Sequence, residues 1–149
     1  MAKRIQREIL VPQPVEQVWL ALADSDSLAQ WMFPNNFEPY VGHHFCFHVP
    51  PKPEVGFDGM VVRCEVLECE SPSSLAFTWS VDGLSDTRVS FRLEPDGDGT
   101  RIRFEHSGFD VSQWGEHAIR GAEYGWASML KKLPDVAAGL VASMQEKDV

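Results

Sequence analysis

Apolar and polar residues alternate along six short stretches between Arg4 and His106. A period of two is the signature of strands with one buried and one wet face. The first, "RIQREILVP", places Ile5, Arg7, Ile9 and Val11 on one side, and Pro12 and Pro14 end it. The pattern then changes to helical spacing. Val15, Val18, Trp19 and Leu22 form one apolar face of "PVEQVWLALA", with Pro14 at the first helical position and Glu16 in the first turn. "DSDSLAQWM" predicts a second short helix, capped by Asp24 or Ser25 and stopped by Pro34.

Alternation returns in "HFCFHV", "GMVVRCEVLE", "LAFTWSV", "RVSFRL" and "TRIRFEH". The inward rows read Met60, Val62, Cys64, Val66; then Leu75, Phe77, Trp79, Val81; then Val89, Phe91, Leu93; then Ile102, Phe104, His106. The turns between the later stretches, "ESPSS", "DGLSD" and "PDGDG", are short, as an antiparallel meander requires. The last third is helical. Ile119, Ala122, Trp126, Met129, Leu130, Leu133 and Ala137 recur at steps of three and four. A straight helix from Trp114 to Met144 would measure ~45 Å at ~1.5 Å per residue. A sheet of about six strands is only ~25–30 Å across. The helix is therefore expected to break or kink between Leu130 and Pro134, where a proline in a straight helix costs ~3 kcal/mol.

With 149 residues, 44% hydrophobic and 23% charged, the chain suits one α+β domain over residues 1–149. The net charge of −9 disfavours a nucleic-acid partner and anionic membrane surfaces. No apolar stretch approaches the ~18 residues that span a membrane. Cys46, Cys64 and Cys69 are odd in number and form no C-x-x-C motif, so a reduced, cytoplasmic setting is expected.

Several segments resemble known signatures. "VEQVWLALADSDSLAQWMFP" resembles the opening of the START-like, or SRPBCC, superfamily. "FDGMVVRCEVLECESPSSLAFTWSV" is similar to its central strands, "DGDGTRIRFEHSGF" to its Gly-Thr strand, and "GWASMLKKL" to its final helix. In that order they resemble the branch related to the activator of the 90-kDa heat-shock protein's ATPase. The chain departs from it at Val41-Gly42-His43-His44, where a Gly-Gly pair is common, and at Pro134. The resemblance implies a helix-grip fold: a curved antiparallel sheet wrapped around a long C-terminal helix, two short helices after the first strand, and commonly a cavity between helix and sheet.

The stretch "HHFCFH" concentrates three of the five histidines and one cysteine. His44, Cys46 and His48 share a strand face. The outer two are ~13 Å apart at ~3.3 Å per residue, whereas zinc ligands lie ~2.0–2.3 Å from the metal. The stretch is therefore expected to be a wall, with Phe45 and Phe47 inward, and no metal site or cofactor is expected. His106 follows Ile102 and Phe104 onto the buried face. It either bonds a helix residue or offers a polar tip to a ligand. Glu116, His117, Arg120 and Glu123 belong to a solvated helix face. Gly121 and Gly125 either admit a close neighbour or leave cavity space.

The sequence lacks a nucleophile elbow, an H-E-x-x-H motif, a phosphate loop and a dinucleotide fingerprint. The resemblance implies a non-enzymatic binder of a small hydrophobic or aromatic molecule, such as a lipid or polyketide. The cavity candidates are Trp31, Phe33, Phe45, Phe47, Met60, Val62, Phe77, Trp79, Phe91, Phe104, His106, Ala122 and Trp126, with Tyr124 or Arg63 helping to orient the ligand. Two alternatives remain open: a cyclase- or hydrolase-type enzyme using His106, or a chaperone-associated module. The chain is expected to act as a monomer or homodimer.

Overall fold

A computed structural model describes residues 2–147, except residues 57, 82, 83 and 85, with side chains over residues 4–140 apart from residue 55. The alternating stretches pair into one antiparallel sheet of six strands, in the order β1-β6-β5-β4-β3-β2. These are β1 (Ala2–Val11), β2 (His44–Val49), β3 (Met60–Glu70), β4 (Ser74–Trp79), β5 (Thr87–Asp96) and β6 (Gly99–Asp110). The first strand therefore pairs with the last, Ile5 opposite His106 and Ile9 opposite Ile102. Register shifts at Lys3/Arg4 and Val66/Glu68 are bulges of the kind that bend a sheet. Gly99 permits a close approach where β6 begins. A Cβ there would lie 2.5 Å from the Val11 carbonyl oxygen.

The helices are α1 (Val15–Ala23), α2 (Ser25–Trp31), α3 (Val111–Trp114), α4 (Glu116–Leu130) and α5 (Leu133–Lys147). Pro14 is the residue before α1, one place earlier than expected. Asp24 caps α2, its carboxylate accepting from the Ser27 N–H at 3.1 Å. The expected break at Pro134 is present: α4 ends at Leu130, and the proline sits in the first turn of α5, where its missing N–H costs nothing. The start of the long helix differs from expectation. Gly115, at φ +77°, separates the single turn of α3 from α4. Among the described residues, no helix is long and apolar enough to cross a membrane.

The inward rows lie in one continuous core with the apolar faces of the helices. Two residues of the inward rows are less covered than the alternation implies. Met60 is 38% exposed because it opens β3 before the strand is covered, and Val81 lies beyond the end of β4 and is half-buried. The turn expected over residues 82–86 includes Asp82, Gly83 and Ser85, which lie outside the described residues, as does Phe57 in the segment before β3. In β2, Phe45 and Phe47 are buried while His44 and His48 are exposed.

Buried polar links join the helices to one another and to the sheet. The Gln17 side chain donates to the Ala137 carbonyl, tying α1 to α5. The Trp31 indole donates to the Ala21 carbonyl at 2.9 Å, occupying an acceptor that the end of α1 would otherwise leave orphaned. On the sheet side, the Trp126 indole N–H donates to His106 Nδ1 at 2.9 Å. An indole can only donate, so Nδ1 is unprotonated and the proton of the neutral ring is on Nε2. Nε2 donates to Thr87 Oγ1 at 2.7 Å, and that hydroxyl donates to the Trp79 carbonyl at 2.8 Å. Burial lowers the His106 pKa from 6.5 to about 3.

Two outcomes follow from these links. Trp31→Phe keeps most of the ring but strands the Ala21 carbonyl. It should lower unfolding free energy by ~1–3 kcal/mol in urea denaturation. For His106, the unfolded chain takes up a proton near pH 6.5 that the folded chain refuses until about pH 3. The associated stability is intact above pH 6.5 and is lost progressively as pH falls to about 3. Unfolding free energy measured across that window should fall more steeply in the native sequence than in His106→Gln.

Candidate functional site

Between α4 and the concave side of the sheet lies a cleft of about 360 Å³. β4 contributes Trp79 and β6 contributes His106, both placed inward by strand alternation. Helix α4 contributes Ala118, Gly121, Ala122, Gly125, Trp126 and Met129, which share a face by their spacing. Phe33, Met60, Val81, Leu84 and Trp114 complete the lining from the segments around the mouth.

The space exists because large and small residues adjoin on α4. Trp126 reaches the sheet, its ring centroid 4.5 Å from that of Phe104 and 5.3 Å from that of Trp79. Beside it, a Cβ added to Gly121 or Gly125 would meet nothing within 4 Å. Trp114 packs edge-on against Phe109, with centroids 5.1 Å apart. No lining side chain carries a formal charge, because His106 is neutral. Both His106 nitrogens are engaged, one by Trp126 and one by Thr87. The walls thus offer aromatic faces, a thioether at Met129 and a second at Met60, and apolar area.

Of the residues proposed from sequence, Phe33, Met60, Trp79, His106, Ala122 and Trp126 line this cleft. Trp31, Phe45, Phe47, Val62, Phe77, Phe91 and Phe104 are packed in the core instead. The inner rings form a band, Phe47–Phe77–Phe91–Phe104, with successive centroids 5.2–6.4 Å apart. Alternation places all these rings on one face but does not say which are covered by others. Tyr124 is 80% exposed and lies outside the cleft lining, as does Arg63. Glu116, His117 and Arg120 are exposed on α4, while Glu123 pairs with Arg7 of β1 at 3.1 Å. Val81, Leu84, Trp114, Ala118 and Met129 also line the cleft without having been singled out from the sequence as cavity residues. For Ala118 a signal was present: small residues recur at 118, 121, 122 and 125, one helix face without bulk.

The outward side of β2 carries His44, Cys46 and His48 in a row. Among the described residues, no three His, Cys, Asp or Glu side chains come together to hold a metal ion. Cys64 faces the core on β3, and burial raises its thiol pKa well above the ordinary range.

No functionally curated protein matches the sequence. Among solved structures, protein MLL2253 from Mesorhizobium loti is 31% identical, over 90% of this chain and 96% of that one, with a TM-score of 0.78. CalU16 from Micromonospora echinospora is 23% identical, over 98% of this chain and 83% of that one, with a TM-score of 0.72. DynU16, from the dynemicin biosynthetic locus, is 22% identical, with a TM-score of 0.73 over 89% of this chain but 46% of its own. The likeness to the last two is one of fold. The family model described as "Activator of Hsp90 ATPase homolog 1-like protein" matches residues 12–138, from the end of β1 into α5. The chain therefore belongs to that family, within the START-like (SRPBCC) branch to which its motifs point.

Proposed function

We propose that this protein binds a small, uncharged hydrophobic or aromatic molecule in the cleft between α4 and the sheet, without transforming it. The observation that carries this reading is the lining: Phe33, Trp79, Trp114 and Trp126 present rings around an uncharged space that Gly121 and Gly125 leave unfilled. Rings facing open space are good surfaces for a flat or oily ligand. A ligand that removes ~200 Å² of apolar surface from water gains ~5 kcal/mol at ~25 cal/mol per Å², before ordering costs.

A hydrolase or cyclase needs an acid or base free to move a proton in the cavity. His106 is a poor base here. Its Nδ1 lone pair is taken by the Trp126 N–H, its Nε2 proton by Thr87, and its pKa is lowered to about 3 by burial. The binding reading therefore takes precedence over the enzymatic one. The chaperone-associated reading rests on the family's description alone.

The two α4 glycines supply the test. Gly125→Ala should raise stability by ~1 kcal/mol, since alanine is the better helix former and the added methyl meets no neighbour. Gly125→Leu should fill the cleft and weaken binding of the neutral fluorescent probe N-phenyl-1-naphthylamine at least tenfold, with far-UV circular dichroism unchanged. Undiminished probe binding by a folded Gly125→Leu protein would place the ligand elsewhere. Native mass spectrometry of the purified protein should add a ligand mass of a few hundred daltons to the native sequence and not to Gly125→Leu.

A further inference from the structure

The inner wall of the cleft carries three nitrogen-bearing rings, and two of them are already bonded. Trp126 donates to His106 at 2.9 Å, and His106 donates to Thr87 at 2.7 Å. The third ring, Trp79, differs. Its backbone carbonyl accepts from Thr87, but among the described residues its indole N–H has no partner. Trp31 and Trp126 show the usual state of a buried indole: each is at most 2% exposed and donates to a protein acceptor.

Trp79 is 6% exposed, and its nitrogen is not sealed. Among the described residues, the one side-chain polar atom that is both sealed and unpartnered is Gln13 Oε1. Strand alternation places Trp79 on the inward side of β4, where it lines the cleft. The little surface that it exposes, nitrogen included, therefore opens into the cleft.

The surroundings decide which group fits there. An indole N–H can only donate, so its partner is an acceptor. The lining side chains contain no oxygen, and the sulfurs of Met60 and Met129 are weak acceptors. A ligand hydroxyl or amine proton would thus find no strong side-chain acceptor. No cationic side chain lines the cleft, so a carboxylate or phosphate would lose its water without gaining a counter-charge.

Resting on the binding reading above, we infer that the ligand is a neutral carbonyl compound, an aromatic ketone or quinone, whose oxygen accepts the Trp79 N–H. The surrounding rings supply apolar contact, and Trp79 supplies a directional bond that fixes how the ligand is turned. A hydrocarbon in the same place would seal the N–H with nothing to receive it, and an unpaired buried donor is penalised.

Fluorenone and fluorene provide the test, because they share one flat frame and only fluorenone carries an acceptor. Dissociation constants for both come from displacement of N-phenyl-1-naphthylamine, on the full native chain and on Trp79→Phe. Loss of the N–H should cut the preference for fluorenone over fluorene by about threefold or more. Loss of ring area alone would weaken both compounds and leave their ratio unchanged. A second measurement needs no variant. In the native chain, the Trp79 indole proton resonance, identified by its through-space contacts with the His106 and Trp126 rings, should move downfield with fluorenone and not with fluorene. An unchanged ratio, or an indole proton that responds alike to both compounds, overturns the inference and leaves the binding reading standing. If neither the probe nor either compound binds the native chain, the binding reading falls and the inference falls with it.

Discussion

The bond between the Trp126 indole and His106 sets the spacing of the whole molecule. Helix α4 buries Ile119, Trp126 and Leu130, and the largest of these, Trp126, joins the aromatic band on the concave face. The N–H of that ring is fixed to His106, which Thr87 fixes in turn to the Trp79 backbone. A chain of buried hydrogen bonds is costly when half-made and rigid when complete. This one is complete, so it defines both the distance and the rotation of α4. The cleft follows from that distance. With Trp126 as the spacer and glycines beside it, the helix cannot settle onto the sheet.

Much of the fold was legible because strand and helix periods differ. The inward rows of β3 to β6, the apolar faces of α1 and α4, and the break before Pro134 all come from spacing and from proline's missing donor. The failures have local causes. Met60 fits the inward row, yet as the first residue of β3 it has too little structure over it. Gly115 ends the turn that contains Trp114 by taking a positive φ, and a glycine beside an otherwise good helical pattern carries no mark of that choice.

The cleft was less legible than the fold. A row such as Phe77, Trp79 says that both rings face inward. It does not say that Phe77 will be covered by Phe45 and Phe91 while Trp79 lies beside an opening. Covering depends on which residues from distant segments arrive opposite, and that is a tertiary fact. The clearest sequence sign of the cleft was a lack of bulk at 118, 121, 122 and 125. Similarly, His106 was legible as buried and in need of a partner, but its two partners lie 19 and 20 residues away in sequence.

The interruption at Lys131–Lys132 divides the C-terminal helical region into two tasks. Helix α5 packs on α1 and α2, burying Leu133 and Ala137, whereas α4 presents its small residues to the cleft. Substitutions on the cleft face of α4 leave the α1–α5 contact untouched, and effects at such separated sites are close to additive. The lining of the cleft can thus change over generations without first loosening the core. Diversification of the pocket and persistence of the scaffold are assigned to different turns of the same stretch of chain.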